Sequence, residues 1–146
     1  MTKQRTHKHP MLQTLKKNRG GFTLVEIMIV VAIIALLAAI AVPNFLRARK
    51  RSQATRILED LRLIDAAVDQ YAIEFNKKTS DNVSWTAIKL YLKPNSNLYT
   101  LGKNVLEASY TGDTYQVDLP VKTPVGTSDA LSDVAPTEFW SPFVLQ

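Results

Sequence analysis

From Phe22 to Val42 the chain runs for 21 residues in which Glu26 is the only charged side chain and Thr23 the only other polar one. At the helical rise this run is about 30 Å long, the hydrocarbon thickness of a bilayer, so it can cross a membrane once. The apolar core of a secretory signal peptide is shorter, about 7–15 residues, and ends in a small-x-small cleavage site. Ala38, Ala39 and Ala41 imitate such a site poorly. An acidic side chain at the centre of a membrane helix costs about 2.5–3.5 kcal/mol and less near the interface, so a functional reason for it is the default reading. Glu26 is therefore the residue to explain.

Charge is distributed unevenly along the 146 residues. Residues 1–21 hold six Lys or Arg and no acid, whereas beyond Arg56 seven basic residues face twelve acidic ones. The basic balance of the whole chain thus belongs to its leader and says nothing about nucleic acid; the acidic outer region disfavours DNA. Its physical meaning is topological, because a basic flank stays cytoplasmic while the segment after the apolar run crosses. Arg47, Arg49, Lys50 and Arg51 follow the run on the outer side and oppose that bias, but the leader outnumbers them.

Beyond the run, Ala54, Ile57, Leu61, Ile64, Val68, Tyr71 and Phe75 recur at three- and four-residue steps and form one apolar stripe. The spacing predicts a helix from about Phe22 to about Asn76, roughly 80 Å long at the standard rise. Pro43 lacks the amide hydrogen for the Ala39 carbonyl, so a kink or a loosened turn is expected there. The alternative is a membrane helix ending at Val42 and a second helix starting near Asn44. About three heptads are short for a coiled coil, which favours packing of the stripe against whatever Asn82–Gln146 builds.

Four segments follow: 1–21 a cytoplasmic leader, 22–42 the membrane helix, 43–76 its soluble continuation and 77–146 a small α+β part. Within the last, Val83–Leu92 reads as a short helix stopped before Pro94 and capped by Ser84 or Asn82. Leu98–Leu101 and Val105–Tyr110 read as extended, and Gly112-Asp113 joins the latter to the alternating Thr114–Leu119 as a hairpin. From Pro120 the chain is irregular, with Phe139, Trp140 and Phe143 expected to fold back over the sheet or helix.

With no cysteine, and with His7 and His9 confined to the leader, thiol chemistry, Cys/His zinc sites and His-based triads are excluded beyond residue 21. Glu59, Asp60, Asp65 and Asp69 have the spacing of a solvated helix face, and no phosphate-cradling glycine loop occurs. Enzymatic activity is not expected, nor is a cofactor. Asp113, Asp118, Asp129 and Asp133 are the only loop acids that could converge on calcium, and their spacing matches no EF-hand. The absence of cysteine fits a compartment where stray disulfides would form.

Gly21 followed by Phe22-Thr23-Leu24-Val25-Glu26-Ile27, an apolar helix and then Pro43 resembles the N-terminus of type IV pilins and of the pseudopilins of type II secretion systems. The likeness is close over about residues 16–50 and extends beyond them only in layout. It implies a pilin-like α+β fold, with a long N-terminal helix packed on a small antiparallel sheet and irregular C-terminal loops. It also implies a prepilin peptidase that cuts the Gly21–Phe22 bond and methylates the Phe22 nitrogen, an inner-membrane assembly platform, and homo-oligomerisation into a helical filament. The precursor would be a single-pass inner-membrane protein with its C-terminal part extracytoplasmic, and the filament periplasmic or extracellular.

On that resemblance Glu26 acquires a partner: cleavage creates a cationic amine on Phe22, which the Glu26 carboxylate of a neighbouring copy can neutralise inside an apolar bundle. Gly21 would let the backbone extend into a peptidase site, and Pro43 would lower the cost of stretching the helix on assembly. The compact soluble region without a cysteine pair favours a major-type pseudopilin over a pilin with a disulfide-closed loop, although the calcium-loop pattern of major pseudopilins is not evident. The competing class is a singly anchored extracytoplasmic binding protein that forms no filament.

Overall fold

The computed structural model describes residues 20–112 and 114–143. The leader through Arg19, with His7 and His9, and the loop residue Asp113 lie outside the described residues. Helix α1 is Leu24–Glu74, and its assignment is unbroken through Pro43. It starts two residues later and ends two earlier than the periodicity predicts, and the two-helix alternative does not hold.

The chain divides into two compact units, one ending at Ala38 and one beginning at Ala39. In the first, the large apolar side chains of α1 are exposed, from 49% at Ile27 to 78% at Leu24, as is Phe22 ahead of the helix. Among the described residues of that unit nothing covers them.

The second unit is built on the stripe of α1. Ala54, Ile57, Leu61, Ile64 and Val68 are buried as predicted, joined by Leu58, Ala67 and Ala72. Tyr71 is half-buried, and Phe75 stays exposed with its ring tilted against Tyr71 at a centroid distance of 4.6 Å. Each fully buried Ile or Leu contributes about 1.5–3 kcal/mol, which is how a stripe with modest helical propensity becomes a stable helix.

Strand β1, Asn82–Ser84, pairs antiparallel with β2, Thr114–Gln116, with Val83 opposite Tyr115. Ser80 and Asp81 continue the ladder to Val117 through bonds of 2.9 and 3.1 Å. The predicted hairpin between 105–110 and 114–119 is therefore incorrect. The strand partner of 114–116 is the segment leaving α1, and Val83 belongs to that strand rather than to the following helix. Val83 is buried there against the core, which local propensity cannot anticipate.

Helix α2, Trp85–Ile88, leads into a 3-10 turn at Lys89–Tyr91. Ser84 precedes α2 but its hydroxyl bonds to Thr86 Oγ1 at 3.0 Å, so neither predicted cap operates. Helix α3, Asn97–Leu101, replaces the extended segment expected at Leu98–Leu101. Ser96 Oγ accepts from the Tyr99 amide at 3.1 Å, and Gly102 ends the helix at φ 60°. An added Cβ at Gly102 would collide with Thr111 Cγ2 and press on Trp85, so only glycine fits.

Residues 105–110 form a turn organised by the buried Asn104. Its Oδ1 accepts from the Leu106 and Ala108 amides at 2.9 and 3.0 Å, and its Nδ2 donates to Thr127 Oγ1 at 3.1 Å. Asn104 thereby ties this turn to helix α4, Thr127–Ala130. The segment after Pro120 closes the core as predicted: Trp140, in a 3-10 turn at Thr137–Trp140, is fully buried, Phe143 nearly so, and Phe139 lies edge-on to Trp140 at 5.3 Å. Tyr110 is buried as well, and Tyr115 Oη donates to its carbonyl at 2.7 Å.

Candidate functional site

Thr23 immediately precedes α1, and Glu26 is the third residue of the helix. The Thr23 amide and Thr23 Oγ1 both donate to Glu26 Oε2 at 3.2 Å, and the Glu26 amide donates back to Thr23 Oγ1 at 3.2 Å. This is a capping box: two of the helix's orphan amides are satisfied reciprocally by the two side chains. The carboxylate also lies within the first turn, where the helix dipole favours negative charge. Glu26 is thus held by its own chain before any other copy arrives, a role the sequence reading assigned to no residue although Thr-x-x-Glu ahead of an apolar run is its signature.

Gly20 and Gly21 have open space where a Cβ would stand, and neither has a positive φ. Among the described residues nothing demands glycine there. Phe22, between them and the box, is exposed. Pro43 lies in the helix interior, where it withholds one hydrogen bond from the Ala39 carbonyl without ending the helix.

Among the described loop acids, Asp118, Asp129 and Asp133 do not converge, and Asp113 lies outside the described residues. Asp133 is bound by Lys50 Nζ at 2.9 and 3.0 Å, and Asp118 accepts from Thr79 Oγ1 at 2.7 Å. Among the described residues no three acidic or histidine side chains stand close enough to hold a metal ion.

A cleft of about 560 Å³ opens between α1 and α3, lined by Arg56, Asp60, Leu63, Leu98, Leu101 and Lys103 among others. Burial pushes the Asp60 carboxyl up to about 6, against the pull of nearby Arg56. The Tyr110 hydroxyl, buried and coupled electrostatically to Asp60, has no partner within hydrogen-bond geometry and is pushed well above the usual phenol range, chiefly by burial. The lining mixes acidic, basic and apolar side chains. Tyr91 donates to Glu74, which raises the phenol to about 12. Lys89 Nζ lies 4.6 Å from the centre of the half-buried Tyr99 ring.

An exposed apolar helix with a capped acidic first turn, continuous with the stripe that nucleates a small α+β core, defines a class of protein whose N-terminal segment is built to be covered by lipid or by other helices. The family description "Prokaryotic N-terminal methylation motif" matches residues 16–42. The type IV major fimbrial protein FimA of Dichelobacter nodosus is 30% identical over 128 residues, covering 83% of this chain and 72% of that protein. The type IV wide pilus major component PilA4 of Thermus thermophilus is 40% identical over 78 residues, 53% of this chain and 60% of its own length. The type II secretion system core protein G of Aeromonas hydrophila is 31% identical over 62 residues, 42% of this chain and 43% of its own. No solved structure matches the chain. The chain belongs to the type IV pilin and pseudopilin family.

Proposed function

We propose that this chain is the precursor of a filament subunit, stored in a membrane through α1, cleaved between Gly21 and Phe22 by a prepilin peptidase, N-methylated on Phe22 and assembled through its N-terminal helix. The observation that carries this reading is the placing of Glu26: a capped carboxylate in the exposed apolar first half of α1, five residues beyond a glycine for which the described residues have no steric use. A glycine that the described fold does not use would suit a second protein that must approach the backbone closely.

Cleavage at that bond would leave Thr23 second in the mature chain and place a new amine one residue before the capping box. In the membrane-stored subunit the box satisfies Glu26. In the filament the carboxylate keeps the Thr23 bonds on one oxygen and offers the other to the Phe22 amine of a neighbouring copy, so each charge is neutralised where water is absent. Pro43 supplies a place where the helix can lengthen at the cost of few hydrogen bonds.

The role is structural rather than catalytic, and the fibre is a type IV pilus-like one. A relative of which this chain covers 72% is named a major fimbrial protein, which supports that arm. The absence of cysteine and the likeness to a secretion-system core protein support the pseudopilus arm instead. Mass spectrometry of the N-terminal peptide tests maturation: a peptide beginning with methylated Phe22 is expected, and an intact leader would leave a simple membrane anchor as the better account. Deleting the gene and examining surface fibres and secreted proteins separates the two arms, with loss of fibres and unchanged secretion expected.

A further inference from the structure

We propose that Arg47, Arg49 and Arg51 form a collar around α1 that binds the phosphates of anionic phospholipids at the outer boundary of the membrane. This rests on the reading of α1 as membrane-inserted. Twenty consecutive residues without a charge, Ile27–Leu46, precede the collar, because Phe45 and Leu46 prolong the apolar run beyond Pro43 and both are exposed. At the helical rise these extend about 30 Å, so the first guanidinium falls where the hydrocarbon ends and headgroup phosphates begin.

Four basic residues occupy positions 47, 49, 50 and 51, and one of them is already committed. Lys50 holds Asp133 with both carboxylate oxygens. The side chains of Arg47, Arg49 and Arg51 are exposed, and among the described residues no carboxylate stands within ion-pair distance of any of them. Guanidinium matches phosphate geometry with two parallel hydrogen bonds and sheds water more readily than ammonium, so these three are suited to a headgroup.

The arrangement around the helix chooses between a lipid and a second copy of the chain. With 100° between successive residues, Arg47 and Arg51 lie about 40° apart, while Arg49 lies roughly 160° away on the opposite side. A neighbouring protein surface meets one side of a helix. A lipid annulus meets all of them, so a collar on two opposite sides fits headgroups better than an acidic face of another copy. It also gives a use to charges that oppose the orientation bias of the leader: bound to anionic headgroups they fix the depth of α1 rather than its direction.

The test reconstitutes the full chain in nanodiscs of phosphatidylcholine with and without phosphatidylglycerol and counts the lipids retained by native mass spectrometry. Attraction of each basic residue to an anionic surface corresponds to roughly fivefold in occupancy, so the three arginines together should favour phosphatidylglycerol over phosphatidylcholine by on the order of a hundredfold, on top of what the six basic residues of the leader contribute. Arg47→Gln, Arg49→Gln and Arg51→Gln combined should lower the wild-type preference by about that factor, and Arg49→Gln alone should lower it about fivefold. Unchanged preference in the triple variant overturns the proposal, as does an arginine-dependent dimer that forms equally in neutral lipid. Resistance of each variant to carbonate extraction is measured in parallel. If the wild type itself is extracted, the membrane reading falls and takes the collar with it; an inserted wild type without lipid preference refutes the collar alone.

Discussion

Thr23→Ala and Glu26→Gln separate what the capping box does from what the charge does. A glutamine amide oxygen can still accept from the Thr23 amide and Oγ1, which now lie 3.2 Å from Glu26 Oε2, so the helix start should persist. What disappears is the negative charge that, in the proposed pairing, neutralises the Phe22 amine of a neighbour inside the filament. Removing one member of a buried ion pair costs about 3–5 kcal/mol, so the association constant per subunit should fall by roughly 10²–10⁴-fold. Thr23→Ala leaves the carboxylate free and charged but removes the cap hydroxyl, at a cost of about 1 kcal/mol or roughly fivefold. Sheared-fibre yield measures the first quantity. Amide exchange of residues 24–27 in micelles measures the second, where Thr23→Ala should accelerate exchange about fivefold and Glu26→Gln scarcely. Normal fibres from Glu26→Gln would refute the charge-pairing argument. Equal acceleration of exchange and equal loss of fibre in both variants would show that capping alone accounts for Glu26.

Two further outcomes concern the second unit. Because burial raises the Asp60 carboxyl to about 6, the folded state holds that proton more tightly than the unfolded chain, so the carboxyl's contribution is most favourable below about pH 4 and is lost as pH rises through 6. Asp60→Asn should therefore stabilise the protein at pH 8 by about 1–2 kcal/mol after discounting for water access, or about 5–10 °C in Tm, with the difference vanishing near pH 4; fluorescence of the buried Trp85 and Trp140 reports it, and a pH-independent difference would contradict the assignment. Gly102→Ala, strained in φ and colliding with Thr111, should cost about 2–4 kcal/mol by urea unfolding, whereas Gly126→Ala at φ 75° in open space should cost only about 1–2 kcal/mol, and equal costs would rule out the collision.

The parts of the fold that could be read in advance are those where neighbours in sequence are neighbours in space. Ala54 to Val68 repeat with the helical period, so α1 and its buried face were written in the spacing. The sheet was not, because Val83 meets Tyr115 across 32 residues and three-residue strands carry too little alternation to announce a partner. At α3 the signal existed and was overridden: Ser96 before and Gly102 after Leu98–Leu101 are a helix start and stop, but an apolar, aromatic run of that length also suits a strand. Asn104 gave no advance sign, since an asparagine that organises a turn from inside looks like any loop asparagine. At the candidate site the residues were found and one relation was missed. Reading Glu26 as a misplaced charge drew attention to distant partners and away from Thr23, three residues earlier.

The exposed apolar flank of α1 has a thermodynamic consequence of its own. Lipid tails and the leucines of another subunit are almost equivalent surroundings, so moving the flank from one to the other changes its hydrophobic free energy little. Polymer and reservoir are then nearly balanced as solvents for the same surface. The direction of exchange is left to a handful of polar contacts and to whatever mechanical work is applied, which is the condition under which a fibre can be lengthened and taken apart from one stock of subunits.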